Sequence, residues 1–466
     1  MPAPRLLVLV ALLLIAALLL SQGTVTLRFQ HLFGLAFAVA VFIFVFVKAA
    51  AGLYLVLFSM LLSPEFAVGR AGLAEGRAVI IRLEDLLLIA IALSWFAKTA
   101  VNKELGLVVK TPLNRWIAAY VLASLAATLV GYLMGSVKTV AGFFYVLKYV
   151  EYFVVYYLTV NNLRDRPQAW RLAATAFVIA ALVSLVSLAQ IPAGDRVSAP
   201  FEGEVGEPNT FGGYLLFMMA VAAGVGLESP QLRIRVAMAS LVGLMAIPFV
   251  FTLSRAAYLG VIPAVVALAA LSRQRKLMVG LIVLLLITAP LFVSSLLPAP
   301  VSRRIAQTFQ PERGQATIRL GGVAFDPSTS ERLISMRQAF QAWADRPLLG
   351  WGVTGFKFMD TQYARTLVET GLIGFAAFLA LLGAIFRSGL GSLRSLEPPE
   401  DRGLAIGFVA GLAGLLFHAV GANTFIIVRI MEPFWFFAGI VVALPSLPQV
   451  QVREGVQPAR AVRYAL

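Results

Sequence analysis

Long apolar runs separated by short polar stretches make up most of the chain. Many of these runs reach roughly the 18 residues that a helix needs to cross about 30 Å of hydrocarbon. The pattern predicts an all-α, polytopic transmembrane helical bundle of about 12–14 spans, in which the short third run is tilted or re-entrant. The predicted spans lie near 6–21, 30–47, 50–63, 84–100, 115–135, 138–160, 169–191, 209–227, 234–252, 256–272, 277–298, 366–387, 403–420 and 424–446.

One polar loop interrupts the apolar pattern, at residues 299–365, and it is too long for a simple turn. Within it, apolar residues recur at helical spacing over 331–344, which is typical of an amphipathic helix on a membrane surface. Pro347 and the glycines that follow end this helix. We therefore predict N-terminal transmembrane helices at 1–298, the outer loop with amphipathic helices at 299–365, C-terminal transmembrane helices at 366–446 and a cytoplasmic tail at 447–466.

The composition agrees with a membrane protein. Of the 466 residues, 60% are hydrophobic and only 13% are charged, whereas soluble proteins carry about 25% charged residues. The absence of cysteine excludes disulfides and thiolate chemistry, and two histidines without cysteine make a transition-metal site a poor prediction. We expect no metal and no cofactor.

The net charge of +15 would suggest nucleic acid in a soluble protein, but here it indicates basic loops and contacts with anionic membrane lipids. If the N-terminus is cytoplasmic, every predicted inner loop carries Lys or Arg. The outer segments 64–83, 192–208, 253–255 and 299–365 are basic as well. A basic outer face indicates an anionic substrate, and contact with phospholipid head groups is the alternative.

Two outer arginines are candidates for binding that anion. Arg196 precedes a helix that Pro208 begins and that carries Asn209 in its first turn. Free N–H groups and the helix dipole favour a pyrophosphate there, although Arg196 can instead pair with a loop glutamate. Arg255 is a lone charge between two apolar runs with no acid nearby in sequence. It either binds phosphate oxygens through its planar guanidinium or extends to the membrane boundary.

Polar side chains cluster where the loop re-enters an apolar run, at Asp360, Tyr363, Arg365 and Glu369. A partly desolvated carboxylate has its pKa raised toward the range of a general base for a hydroxyl group. We predict this catalytic role for Asp360. For Glu369 we favour a helix acid that interacts with the dipole and packs the loop, so that Glu369 and Tyr363 shape the site.

Other charged residues lie within predicted spans and indicate a different class of function. Lys148 and Glu151 are three residues apart on one helix and can pair, as can Arg429 and Glu432. Charges inside a membrane are typical of transporters and channels, so transport is the rival hypothesis. We find no inverted repeat in support of it. The lone histidines, His31 and His418, are interpreted as structural.

Three stretches resemble the O-antigen ligase and polymerase family of bacterial envelope glycosyltransferases. They are GEPNTFGGYL at 206–215, TLSRAAYLG at 252–260, and SERLISMRQAFQAWADRPLLGWGVTGF at 330–356, which continues into DTQYARTLVETGLIG at 360–374. The last stretch resembles the family pattern of an arginine, a tryptophan, a Pro-x-x-Gly-x-Gly turn, a polar pair and Glu-Thr-Gly-Leu-Ile-Gly. The likeness covers the C-terminal half, while the N-terminal half is similar only in hydropathy.

The resemblance implies an inverting, metal-independent, GT-C-like transferase in the bacterial inner membrane, with its active site facing the periplasm. The donor it implies is a glycan on undecaprenyl pyrophosphate, whose pyrophosphate would be held by Arg196, Arg255 and Arg332. Ligases of the family carry a His-Asn pair where this chain has Asp360-Thr361. The departure favours a polymerase of lipid-linked repeat units over a ligase.

Two alternatives stay open beside the polymerase. A ligase would pass the glycan to lipid A core or to a protein, and a non-catalytic scaffold would serve a glycan-assembly complex. The expected partners are the lipid-linked donor, a glycan or lipid A core acceptor and membrane lipids. Other polysaccharide-assembly proteins are further candidates, and nucleic acid is not expected.

Overall fold

The computed structural model describes residues 39–47, 49–62, 65–67, 80–82, 87–94, 97, 109–194, 196–200, 206–276, 280, 300, 302–303, 306, 318–320 and 323–448. The predicted span at 6–21 and His31 lie outside the described residues, and so does the predicted span at 277–298 except for residue 280. Further helical residues occupy 39–47 and 87–94. The longer helices are α1 (Ala49–Leu62), α2 (Asn114–Leu133), α3 (Ala141–Asn162), α4 (Arg166–Leu188), α5 (Pro208–Glu228), α6 (Leu232–Phe251), α7 (Arg255–Leu271), α8 (Pro327–Asp345), α9 (Gln362–Ser395), α10 (Pro399–His418) and α11 (Val428–Ala443).

Eight helices of the described part are long and apolar enough to cross a membrane, namely α2 to α6 and α9 to α11. Two shorter apolar helices lie at Ala51–Met60 and Arg255–Leu271. The prediction of a polytopic all-α membrane protein is therefore confirmed. The described strands form only two small antiparallel pairs, β1 (Glu65–Ala67) with β2 (Ile80–Arg82), and β3 (Arg319–Leu320) with β4 (Val323–Ala324).

Local sequence fixes where several helices begin. Asp165 accepts a hydrogen bond from the Gln168 backbone N–H at 2.7 Å and so caps α4. Ser254 caps α7 and Asp326 caps α8 in the same way. Pro208 is the first residue of α5, where its missing N–H costs no hydrogen bond. The caps matter for function, because two of them belong to the candidate site.

The most buried helix is α11, whose ring-bearing residues from Phe434 to Phe437 all lie in the core. Trp435 packs edge-to-face on Phe153 of α3, with ring centroids 4.8 Å apart. Helices α5 and α10 are also buried along most of their length, whereas α6 lies at the edge with few buried residues. The core is thus a layer of α5, α10 and α11 around which the other helices pack.

Small residues let α5 and α10 approach closely. Gly403, Gly407 and Gly411 recur every four residues on α10, and a Cβ on Gly407 would lie 2.6 Å from the Ala220 carbonyl oxygen. A Cβ on Gly224 of α5 would lie 2.4 Å from the Gly403 carbonyl oxygen. In a membrane, where the hydrophobic effect does not drive helices together, such small residues permit close backbone packing.

We expect Gly407→Leu to destabilise the protein by about 3 kcal/mol, at the upper end of the usual cost of overpacking, because the new side chain meets backbone atoms that cannot yield. Thermal unfolding of the purified protein in detergent measures the loss. Gly243→Leu on α6 is the matched control, since a Cβ at Gly243 has no other atom within 4 Å. Equal stability of the two variants would contradict the close packing of α5 and α10.

The described helices place two ends of the bundle in different chemical settings. At the end that we call the far end, α5 and α7 terminate and α4 and α10 begin. There the Ser272 hydroxyl donates to Glu228 at 2.6 Å, and Arg166 pairs with Asp401 at 2.8 Å. The opposite end, which we call the site end, carries the residues predicted to bind and react with substrate.

Candidate active site at one end of the bundle

Arg196 lies against the turn between α6 and α7. Its Nε donates to the Thr252 carbonyl at 3.0 Å, and its Nη2 donates at 3.4 Å to the Leu253 carbonyl and to Asn209 Oδ1. Asn209 Oδ1 also accepts from the Ser254 hydroxyl at 2.8 Å. Leu253 has a positive φ of 49°, a conformation that costs energy for a residue with a branched side chain. The guanidinium therefore joins the start of α5 to a strained turn.

Arg255, the first residue of α7, forms a bidentate ion pair that the sequence did not indicate. Its two terminal nitrogens donate to the carboxylate oxygens of Asp326 at 3.0 and 2.9 Å. Asp326 is distant in sequence and caps α8, accepting from the Thr329 N–H at 3.2 Å. The pair is largely buried, with side chains 19% and 9% exposed, so it fixes the start of α8 against the start of α7.

Burial alone would raise the pKa of Asp326, but hydrogen bonds from Arg255 and Thr329 outweigh it and hold that pKa below its ordinary value. A depressed carboxyl pKa contributes stability above the unfolded-state value of about 3.9, and this stability is lost as pH falls through the lower folded value.

We expect Asp326→Asn to lower the thermal midpoint at pH 6–7 and the gap to wild type to close below about pH 4. Thermal unfolding across this pH range measures the gap. Asp345→Asn, an exposed residue at the end of α8, is the control and should not lower the midpoint at neutral pH. A gap that stays constant with pH would argue against an ionised Asp326 in the folded protein.

Arg332 lies on α8 and donates from Nη1 to the Ser328 hydroxyl at 3.1 Å. Arg332 is close enough to His418, the last residue of α10, for the two side chains to interact electrostatically. His418 is fully buried, with Nδ1 2.7 Å from the Thr424 hydroxyl and Nε2 3.1 Å from the Asn209 carbonyl oxygen. Because a carbonyl only accepts, Nε2 carries the proton and Nδ1 accepts from Thr424.

The segment 419–427 between α10 and α11 connects this network to Asp360. Asn423 Nδ2 donates to the Met359 carbonyl at 2.7 Å, on one side of Asp360. On the other side, the Gln362 N–H donates to the Ala419 carbonyl at 3.2 Å, and the Phe425 N–H donates to Gln362 Oε1 at 3.0 Å. The backbone on both sides of Asp360 is thus fixed to the segment that follows His418.

Asp360 itself is exposed, and no hydrogen bond of its carboxylate to another described residue is present. Tyr363, in the first turn of α9, donates from its hydroxyl to the Leu416 carbonyl at 2.6 Å. Gly421 lies against Ala256, since a Cβ on Gly421 would be 3.1 Å from the Ala256 Cβ. Asp360 and Arg255 are therefore on the same end of the bundle, linked through the segment 419–427.

Helix α9 is broken at Gly371, whose φ of 64° and ψ of −168° are not helical. The preceding loop forms backbone hydrogen bonds with α9 on both sides of this break. The Trp351 N–H donates to the Val368 carbonyl at 2.9 Å, and the Leu372 N–H donates to the Pro347 carbonyl at 2.8 Å. A Cβ on Gly371 would lie 2.3 Å from the Leu348 carbonyl oxygen, so only glycine fits.

Glu369 stabilises the backbone around this break in α9. Its carboxylate accepts from the Thr354 N–H and from Arg365 Nε, both at 3.2 Å, and it is buried. The Glu369 backbone carbonyl accepts from the Gly352 N–H at 2.8 Å. These contacts give Glu369 a part in fixing the loop before Asp360, and the carboxylate is not presented to solvent.

The site end thus collects Arg196, Asn209, Arg255, Arg332 and Asp360, with Tyr363 and Glu369 behind them in α9. Sequence reasoning missed two residues of the site, Asp326 and Ser254. It also missed that His418 links Asn209 to Thr424. The Asp-Pro-Ser-Thr stretch at 326–329 was a readable helix start, but nothing in it pointed to Arg255.

Of the mid-helix charges, Lys148 and Glu151 pair at 3.0 Å within α3, and Arg429 and Glu432 are buried in α11.

A comparison with protein families matches residues 240–379 to a family described as O-Antigen ligase. The matched stretch runs from within α6 to within α9. It includes Arg255, Arg332, Asp360, Tyr363 and Glu369, whereas Arg196 and Asn209 precede it. No curated protein matches the chain.

Proposed function

We propose, from the premise that this chain carries the domain of the O-antigen ligase family at residues 240–379, that it polymerises lipid-linked repeat units of a surface polysaccharide. Membership supports glycan transfer between a lipid-linked donor and an acceptor. The choice of polymerase is our inference from Asp360, which stands where ligases of the family carry histidine. The donor is a glycan on undecaprenyl pyrophosphate in the outer leaflet of the bacterial inner membrane, and the site faces the periplasm.

The observation that carries the proposal is the position of Asp360. Its exposed carboxylate is held on the same end of the bundle as Arg196 and Arg255, through backbone contacts on both sides. An accessible carboxylate on a backbone that is held from both sides is suited to accept a proton from an acceptor hydroxyl. The arginines are suited to the charge that develops on a pyrophosphate leaving group.

In the proposed reaction, Asp360 takes the proton of a sugar hydroxyl on the acceptor. The hydroxyl oxygen attacks the anomeric carbon of the donor glycan from the face opposite the pyrophosphate. A new glycosidic bond forms as the bond from the anomeric carbon to the pyrophosphate oxygen breaks, which inverts the configuration. The electron pair leaves with undecaprenyl pyrophosphate, whose negative charge Arg196, Arg255 and Arg332 stabilise, without a metal.

Arg255 has to serve two partners in this scheme. It pairs with Asp326 in the structure, and a diphosphate would compete for the same planar guanidinium or approach its remaining edge. Asn209 and Ser254 keep Arg196 and the α6–α7 turn in place beside it. We infer that donor binding loosens the Arg255–Asp326 pair and with it the start of α8.

A ligase remains the second candidate, because the matched family is itself described as O-Antigen ligase. The two functions differ in acceptor: another lipid-linked repeat unit for a polymerase, lipid A core or a protein for a ligase.

Reconstitution separates the two functions. Purified protein is given undecaprenyl-pyrophosphate-linked repeat unit, with and without lipid A core, and with and without EDTA. A ladder of lengths formed without lipid A core, and unchanged by EDTA, is the expected result. A single product that requires lipid A core would assign the chain as a ligase, and loss of product with EDTA would contradict a metal-independent reaction.

A further inference from the structure

A cavity of about 410 Å³ opens at the far end of the bundle, between the start of α2, the last turns of α9 and the end of α11. Arg115 and Trp116 contribute from α2. The face that α9 presents to it repeats at helical spacing and consists of small and hydroxyl-bearing residues around one arginine. The lining residues are Pro112, Arg115, Trp116, Ala384, Arg387, Ser388, Gly391, Ser392, Ser395, Val442 and Pro445.

The charge in this cavity has one sign. Arg115 and Arg387 both line it, and no carboxylate is among the lining residues. Neither arginine forms an ion pair with any acid in the part of the chain that the structure describes. The guanidinium of Arg115 lies 4.7 Å from the centre of the Trp116 ring, which holds it at the cavity. Two guanidinium groups without a carboxylate favour an anion with several oxygens.

The α9 face adds hydroxyl groups and room. Ser388 and Ser392 can each donate to an anionic oxygen, whereas the Ser395 hydroxyl donates to the Gly391 carbonyl at 3.2 Å. Gly391 lies among them, and a Cβ there would have no other atom within 4 Å, so the space above Gly391 is open. Hydroxyl and guanidinium donors around an open space are suited to a phosphate group.

The position of the cavity relative to the membrane indicates which kind of molecule carries this phosphate group. It lies at the ends of membrane-spanning helices, beside a tryptophan, and tryptophan is enriched where hydrocarbon meets head groups. Pro112, Ala384 and Val442 supply an apolar wall next to the charged groups. The far end is also the basic, cytoplasmic end under the positive-inside rule, where basic pockets between helices bind lipid head groups.

We propose that this cavity binds the phosphate group of an anionic phospholipid, separately from the glycan site at the other end of the bundle. The bound lipid would join α2, α9 and the end of α11, and it would stabilise the folded protein by mass action. This inference does not depend on the reaction assigned to Asp360.

The test is the thermal midpoint of the full chain in micelles of a neutral detergent with phosphatidylcholine, titrated with phosphatidylglycerol. We expect wild type to be stabilised with a defined half-saturating lipid fraction. The Arg115→Ala/Arg387→Ala double variant should need on the order of tenfold more lipid, since each arginine near an anionic surface contributes severalfold in affinity. Gly391→Leu, which fills open space, should weaken binding similarly.

Two controls lie on the same helix outside the cavity. Gly383→Leu also adds a side chain in open space, and Arg394→Ala also removes an exposed arginine, so both should respond like wild type. An equal response of wild type, the double variant and Gly391→Leu would overturn the proposal. If inorganic phosphate, added without phosphatidylglycerol, gives the same arginine-dependent shift, the cavity belongs to a soluble phosphate and the lipid assignment is wrong.

Discussion

Replacing Asp360 with alanine is expected to lower the rate of glycan transfer by about 10²–10⁴-fold, the usual contribution of a general base. The folded protein should keep its stability, because the Asp360 carboxylate is exposed and makes no hydrogen bond to another described residue. Its neighbours Met359 and Gln362 are held through a carbonyl, an N–H and the Gln362 side chain, none of which the substitution removes. The measurement is the rate of ladder formation by purified protein, with thermal unfolding in parallel.

Asp345→Ala is the matched control for Asp360→Ala. Asp345 is an exposed aspartate at the end of α8, in the same loop region, and no role in the reaction is assigned to it. We expect its transfer rate to equal that of wild type. Asp360→Asn should be as inactive as Asp360→Ala, because an amide does not accept the proton. Full activity of Asp360→Ala would show that Asp360 is not the general base.

Replacing Arg255 with alanine is expected to lower transfer by about 10²–10³-fold, the typical cost of losing one group that stabilises developing charge. It should also destabilise the fold by about 1–3 kcal/mol, because Asp326 is left largely buried without its partner. Arg255→Lys keeps the charge but loses the planar bidentate geometry, so an intermediate rate is expected. Rates at saturating and limiting donor, together with thermal unfolding, measure both effects.

Asp326→Asn separates the two roles of Arg255. It weakens the same ion pair and so lowers stability, but it leaves the guanidinium available to the donor. We expect its transfer rate to stay within about tenfold of wild type, because the group that stabilises the leaving charge remains. If Asp326→Asn and Arg255→Ala lose activity equally, Arg255 acts only by fixing α8, and its proposed contact with pyrophosphate is wrong.

Much of the fold could be predicted from hydropathy alone. The structure describes helices at most of the predicted spans, and α8 covers the amphipathic stretch predicted at 331–344. The end of α8 before Pro347 was readable as well. These features are local: apolar runs, helical spacing and helix breakers act through residues near in sequence.

The contacts that form the site were not local, and no pattern in the sequence pointed to them. Arg255 and Asp326 are 71 residues apart, and the carbonyl of Asn209 meets His418 across 209 residues. Arg255 was therefore interpreted from the sequence as a lone charge. The break at Gly371 was hidden for another reason: a glycine within an apolar run is compatible with a helix, and only the close approach of Leu348 makes its positive φ necessary.

The most direct test of the central claim is to count undecaprenyl pyrophosphate released against glycosidic bonds formed, in wild type and Asp360→Ala. Transfer at this site predicts one lipid pyrophosphate released for each bond in wild type, and both counts reduced together in Asp360→Ala while the variant still binds donor. Release that continues unchanged in Asp360→Ala, or bonds formed without release, would contradict it.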